Sequence, residues 1–195
     1  MSTHANPFIT PEQYLEIERA AEFKSEYYDG EMFAMSGARE PHNIIVTNTA
    51  ASLHGQFRKR PCRVYHNDMR VQLGTSRRYT YPDVIAVCGE RQFLDRTRDT
   101  LLNPVLIVEV LSASTENFDR GKKFFYYRSI PSFVYYLLLA SDRICAELHT
   151  REPDGGWHMS PPIDNPQAVI ELPALDCRLA LTDLYEDVEF ISSEE

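Results

Sequence analysis

Apolar positions along this chain repeat in two rhythms, and the changes from one to the other mark its elements. Thr10-Pro11-Glu12-Gln13 has the shape of a capping box, with threonine as N-cap, proline first and glutamine third, and predicts a short helix to about Glu22. SEYYDGEMFAM predicts a hairpin turning at Asp29-Gly30. Pro41 opens a second helix, in which Ile44, Ile45, Ala51, Leu53 and Phe57 leave one side largely apolar; it should stop near Lys59, just before Pro61. In VYHNDMRVQL, Tyr65, Asn67, Met69, Val71 and Leu73 alternate with His66, Asp68, Arg70 and Gln72, which predicts one half-buried strand.

RYTYPDVIAV and PVLIVEVL are apolar enough for central strands, joined by a polar loop from Glu90 to Asn103. A helix is expected around Phe118–Arg128, ended by Pro131. FVYYLLLA and ICAELHT predict a hairpin turning at Ser141-Asp142-Arg143. WHMSPP, AVIEL and DCRLAL are shorter strand candidates, and LTDLYED a last helical turn. The fold class is therefore mixed α/β, or α+β: a central mixed sheet flanked by helices, with an N-terminal helix and hairpin and extra C-terminal strands.

A length of 195 residues predicts one domain spanning 1–195. No apolar run is long enough to cross a bilayer, and MSTHANPFITPEQ lacks the charged and apolar regions of a signal peptide. Cys62, Cys88, Cys145 and Cys177 form no Cys-x-x-Cys pair, so neither zinc ligation nor a disulfide framework is expected, and a reducing cytoplasm fits best. The net charge of −9 argues against non-specific nucleic-acid binding, but most of it sits in the acidic stretch 171–195. Basic groups elsewhere (Arg58 to Arg63, Arg77 and Arg78, Arg120 to Arg128) leave room for a local positive cleft, although each by itself is most simply a solvated charge.

Two acidic residues sit where the pattern disfavours them: Asp83 at the head of PDVIAV, and Glu109 among Leu106, Ile107, Val108, Val110 and Leu111. A bare buried carboxylate is costly unless something cationic meets it. Taken singly, Asp83 could cap a turn, and Glu109 could partner a buried arginine or tyrosine. Two such carboxylates with lysines close behind, in FDRGKKFFYY, point instead to a divalent-metal site with a positive group beside it. Mg²⁺ is held by one or two carboxylates plus water and substrate phosphate. Such a site suits phosphodiester hydrolysis.

The ordered set ITPEQYLEIE, SEYYDGEMFAMSG, His42, HNDMRV, YPDVIAVC, VLIVEVLSAST, DRGKKFFYYRSIPSFVYYLLL and LDCRLALTDLYEDVEF resembles the Uma-type branch of the PD-(D/E)XK nuclease superfamily, a family of restriction-endonuclease-like proteins. The resemblance covers nearly the whole chain and implies a restriction-endonuclease-like core. It also implies a metal-dependent endonuclease acting on DNA, with Asp83 and Glu109 binding Mg²⁺ or Mn²⁺ and Lys123 assisting the attacking water.

The sequence departs from the superfamily pattern at Leu111, where a standard motif would place lysine; the branch takes it from the next helix, at Lys123. Lys123 shares a helical face with Asp119 and Tyr127, while Lys122 points about a third of a turn away. A plain exposed ion pair with Asp119 is the bland alternative. The resemblance further implicates Glu26, to orient a ligand or a second metal, and His42, to contact phosphate or move a proton. Glu26 could equally pair with Lys24 or Arg39, and His42 could be a surface residue of a first helical turn. Asp68 and Arg70 are expected to pair with each other. A homodimer would supply two sites for two strands, with FVYYLLLA and the following hairpin as a possible seam. The competing functions are a nuclease-like fold that binds nucleic acid or partners without turnover, and a hydrolase of small phosphate esters.

Overall fold

A computed structural model describes residues 8–74 and 77–190. Helix α1 (Pro11–Ala20) is followed by the hairpin β1 (Ser25–Tyr28) and β2 (Glu31–Ala34), then by helix α2 (Glu40–Gln56). Strands β3 (Cys62–His66), β4 (Arg70–Gln72), β5 (Arg78–Thr80), β6 (Val84–Cys88), β7 (Thr100–Leu101) and β8 (Leu106–Leu111) come next. A helical segment joins α3 (Glu116–Phe118), a π-helical turn (Asp119–Lys123) and α4 (Phe124–Tyr127). The chain finishes with β9 (Tyr135–Ala140), β10 (Ala146–Arg151), β11 (Trp157–Met159), β12 (Val169–Leu172), β13 (Cys177–Ala180) and the short α5 (Leu181–Leu184).

Three sheets result. A six-stranded sheet runs β11-β10-β9-β8-β6-β3, a five-stranded sheet β2-β1-β5-β4-β7, and β12 pairs with β13. Both larger sheets are mixed, since β8 runs parallel to β9 and β4 parallel to β7 while the other pairs are antiparallel. Alternation along β8 divides the core. Val108 and Val110 pack with Ile45, Leu53, Leu137, Leu179 and Leu184 on the α2 side. Ile107 and Leu111 join Tyr127, Phe133, Tyr136 and, from the smaller sheet, Val71 and Leu101 on the other. Each such side chain contributes ~1.5–3 kcal/mol through burial, so the two faces hold most of the stabilisation. Glu109 has the same parity as Ile107 and therefore lies on the second face. Among the described residues no helix is long and apolar enough to cross a membrane.

The capping box at Thr10 is present, but α1 stops at Ala20, two residues before the expected end. The turn at Asp29-Gly30 closes the first hairpin with positive φ at both residues, 49° and 107°. Several expectations are corrected. VYHNDMRVQL is not one strand: it breaks at Asn67, whose φ is 54°, so that β3 joins the large sheet and β4 the small one. Alternation continues on both sides of the break, which hides it. RYTYPDVIAV likewise divides at Tyr81-Pro82 into β5 and β6, in different sheets. The polar loop after Glu90 contains the short strand β7.

Asp68 and Arg70 do not pair. Asp68, in the bend before β4, meets Lys24 at 2.8 Å next to β1, and Arg70, inside β4, meets Asp99 at 3.1 Å next to β7. Cys62 and Cys88 face each other in the β3–β6 register and form a disulfide across 26 residues of sequence, against the expectation of no cross-link. Strand pairing, invisible in Cys spacing, brings them together. Within the expected seam, β9 is buried between β8 and β10, so FVYYLLLA itself offers no open edge.

Candidate active site

Strands β6 and β8 pair antiparallel, with Val84 opposite Val108, so Asp83, one residue before β6, comes to the level of Glu109 at the end of the pairing. Pro82 ends the previous strand without offering an amide, so Asp83 sits at the mouth of β6 rather than inside it. Its Oδ2 accepts the backbone N–H of Val110 at 2.7 Å. His42, in the first turn of α2, approaches the same oxygen with Nε2 at 3.2 Å, while its Nδ1 is buried and has no hydrogen-bond partner among the described residues.

Glu109 is only 4% exposed and Lys123 6%. Their closest approach, Nζ to Oε1, is 3.0 Å, and the Tyr127 hydroxyl donates to that same Oε1 at 2.6 Å. Lys123 also lies 3.3 Å from Glu26 and 3.4 Å from Asp119. Glu26 is further engaged, accepting from the Tyr28 hydroxyl at 3.0 Å and from Thr80 Oγ1. Behind them, Tyr136 donates to the backbone carbonyl of Asp119 at 3.0 Å, anchoring the π turn to β9. The extra residue in that turn matters locally. Insertions of this kind re-aim side chains and concentrate at functional sites, and here Asp119, Lys123 and Tyr127 all point at the Glu109 neighbourhood.

The structure therefore brings all five sequence-predicted residues to one end of the sheet, as two linked groups: Glu26, Glu109 and Lys123, and Asp83 with His42. Lys123 is not an exposed partner of Asp119; both are buried. Glu26 pairs with Lys123 and not with Lys24, which is held by Asp68. Lys122 is solvent-exposed and lies over the Tyr126 ring at 5.9 Å. Sequence reasoning weighed a tyrosine partner for Glu109 without naming Tyr127, and it missed Tyr28 and Thr80, whose hydroxyls fix Glu26. Only the shared helical face of Lys123 and Tyr127 hinted at the former.

Electrostatically the cluster is acid-rich. Burial pushes Glu109 well above the usual carboxylate range, with Asp83 and Asp119 adding to the rise and Lys123 opposing it. Burial also raises Asp119. For Lys123 burial works the other way, but Glu109 and then Tyr127 and Glu26 outweigh it, and the ammonium is held charged well above the ordinary lysine value. One ammonium thus serves three carboxylates, with Asp83 a fourth acid nearby, a surplus that favours a further cation.

Among the described residues no group of three or more histidine, cysteine, aspartate or glutamate side chains forms a ready-made metal site. The donors suited to one are Asp83 and Glu109. Each has one oxygen committed, and no hydrogen bond from the described residues reaches Asp83 Oδ1 or Glu109 Oε2. Two hard carboxylates match what Mg²⁺ takes from protein, the remaining positions going to water and phosphate. Both oxygens of Glu26 are already engaged, by Lys123, Thr80 and Tyr28.

A mixed α/β core with two opposed carboxylates and a buried lysine defines a nuclease-like domain. Comparison with known proteins agrees: the Uma2 family model, described as "Putative restriction endonuclease", matches residues 11–182. The chain belongs to that family. A solved structure from Anabaena variabilis, titled a putative nuclease belonging to DUF820, superposes with a TM-score of 0.73 at 19% identity, covering 91% of this chain and 97% of that one. Two Synechocystis relatives are also similar. The uncharacterized protein slr1290 is 32% identical, covering 94% of this chain and 95% of its own. The uncharacterized protein sll1609 is 36% identical over 76% of this chain and 84% of its own.

Proposed function

We propose that the protein is a metal-dependent endonuclease that hydrolyses phosphodiester bonds in DNA, with Asp83 and Glu109 as ligands of Mg²⁺ or Mn²⁺ and Lys123 as the positive group beside the reacting phosphate. The observation that carries the reading is the buried Lys123 ammonium 3.0 Å from Glu109, which lies level with Asp83 at the end of the strand pairing. When bound, the divalent ion would supply Lewis-acid charge neutralisation and a more acidic water.

The remaining work falls to the chain itself. Lys123, kept charged by its acidic neighbours, stabilises negative charge developing on the phosphoryl oxygens. Glu26, fixed by Tyr28 and Thr80, keeps Lys123 from folding back onto Glu109 alone. Tyr127 holds one oxygen of Glu109, and the Val110 N–H with His42 holds one oxygen of Asp83, so each carboxylate presents its other oxygen in a fixed direction. His42, with Nδ1 unpartnered, orients Asp83 rather than contacting phosphate in this arrangement.

The acid surplus also bears on the alternative of a binding protein without turnover. Three carboxylates on one ammonium, with Asp83 close by, repel a phosphate until a cation joins them, which ties nucleic-acid contact at this site to metal. The test is cleavage of labelled DNA by purified protein with Mg²⁺, with Mn²⁺ and with chelator. Metal-dependent cleavage abolished by Asp83→Ala and by Lys123→Ala is expected. Cleavage indifferent to both substitutions would remove the assignment, and metal-dependent binding without cleavage would establish the alternative.

A further inference from the structure

We infer that a cavity beside this site holds one unpaired nucleobase of the substrate strand, stacked on Phe33. The inference rests on the nuclease reading and deepens it: the substrate is single-stranded, or locally opened, next to the scissile phosphate.

Register places the parts. In the β1–β2 hairpin Glu26 lies opposite Phe33 and Tyr28 opposite Glu31, so these four side chains share one face. The other face is spent on packing, where Tyr27 meets Tyr14 and Tyr79. On the shared face Glu26 reaches Lys123 and Tyr28 reaches Glu26. Phe33 has no such engagement: its ring meets Tyr28 at 5.9 Å between centroids and remains 49% exposed. A half-exposed aromatic one strand away from a buried ion pair is costly to leave in water and suited to stacking.

The cavity measures about 250 Å³ and is lined by Phe8, Tyr28, Gly30, Glu31, Phe33 and Lys122, among others. It is smaller than the pockets of roughly 300–1,000 Å³ that take drug-sized ligands, which limits an occupant to one ring system. Phe8, 67% exposed, forms a second aromatic wall. Gly30 permits this, since a Cβ there would stand 2.3 Å from the Phe8 ring. The cavity joins the active site through Tyr28 and through Lys122, the chain neighbour of Lys123.

Those linings match a nucleotide. The exposed Lys122 ammonium suits a backbone phosphate adjoining the reacting one, and the aromatic walls suit the flat face of a base. Glu31 offers only acceptors, which suit an exocyclic amine on the base edge. A base inside a duplex is stacked on both faces and paired, so only an unpaired or extruded one can enter.

The experiment places 2-aminopurine at successive positions of a single-stranded oligonucleotide and records its fluorescence on binding to the wild-type protein, with Ca²⁺ replacing Mg²⁺. One position is expected to be quenched, Phe33→Ala to abolish the quench, and Phe33→Trp to retain it. With Mg²⁺, Phe33→Ala should raise KM for single-stranded substrate about tenfold with kcat and the thermal melt unchanged. Cleavage by the wild type without a position-specific quench, or a quench indifferent to Phe33→Ala, would overturn the inference while sparing the nuclease. A Phe33-dependent quench without any cleavage would overturn the nuclease and leave base stacking in place. Neither binding nor cleavage would sink both.

Discussion

Two clusters of buried charge sit on these sheets, and they are finished differently. Around Arg70, which is 2% exposed, the guanidinium donates to Thr100 at 2.9 Å and Tyr81 at 3.1 Å and pairs with Asp99 at 3.1 Å. Asp99 is shared with Arg19 at 2.7 Å, and Arg19 also holds Asp95 at 2.7 Å. Glu18 takes the Ser25 N–H and the Tyr81 hydroxyl. Two cations thus meet two acids, a third acid is satisfied by neutral donors, and the partners tie α1, β4 and β7 together. Around Lys123 a single cation meets Glu26, Glu109 and Asp119, with Asp83 beside them and carboxylate oxygens still uncommitted. A cluster built for stability is closed by its own donors. One built for chemistry leaves capacity for something that arrives later.

The largest effect that would sharpen this contrast lies in the second cluster. Asp83→Asn is expected to lower the rate of metal-dependent DNA cleavage roughly a thousandfold with the melting temperature held or raised, because it removes a ligand and relieves acid crowding. A variant with most of the wild-type rate would break the contrast. Arg70→Ala should do the reverse, costing ~3–5 kcal/mol by removing the buried donors to Thr100 and Tyr81 and one of the two cations on Asp99, as read from urea midpoints. A change confined to activity would place Arg70 in the wrong class. Tyr127→Phe, which removes only the hydroxyl on Glu109, is expected to weaken Mn²⁺ binding about tenfold by calorimetry and to reduce cleavage in parallel. Unaltered Mn²⁺ affinity would mean that Glu109 needs no help in orientation.

The smallest effect is on acid stability. Burial would raise the Asp99 carboxyl, but hydrogen bonding from Arg19 and the charge of Arg70 outweigh it and hold it well below the usual carboxylate range. A carboxyl depressed in the folded state stabilises the fold above its unfolded pKa of about 3.9, and that contribution drains away as pH falls from there toward the folded value. Urea midpoints measured downward from about pH 5 should therefore fall less steeply in Asp99→Asn than in the wild type. Parallel slopes would show that the Arg19–Asp99–Arg70 arrangement carries no acid-sensitive stability.

What the sequence disclosed follows from the kind of signal each residue leaves. Asp83 and Glu109 stood out because each breaks a local pattern, a carboxylate at the head of an apolar strand and another inside one; Lys123 was singled out from its neighbour Lys122 by the family resemblance, as were Glu26 and His42. The element order was legible from local patterns too. The break at Asn67 was not, because the alternation of VYHNDMRVQL continues through it while the backbone changes sheet. The Cys62–Cys88 bond depends on a strand pairing that spacing does not encode. The aim of the Tyr127 hydroxyl and the shared face of Glu26 and Phe33 are set by tertiary placement and register, which no single window of residues contains.

The π turn at Asp119–Lys123 has a consequence for how this site can be altered. Its contribution is a count of residues and not an identity, so a scan of substitutions would pass over it. Deleting one residue would restore an ordinary helix with its flanks still nearly in phase, and would re-aim the side chains carried by the turn itself, Asp119 and Lys123 among them. Here aim is written in chain length.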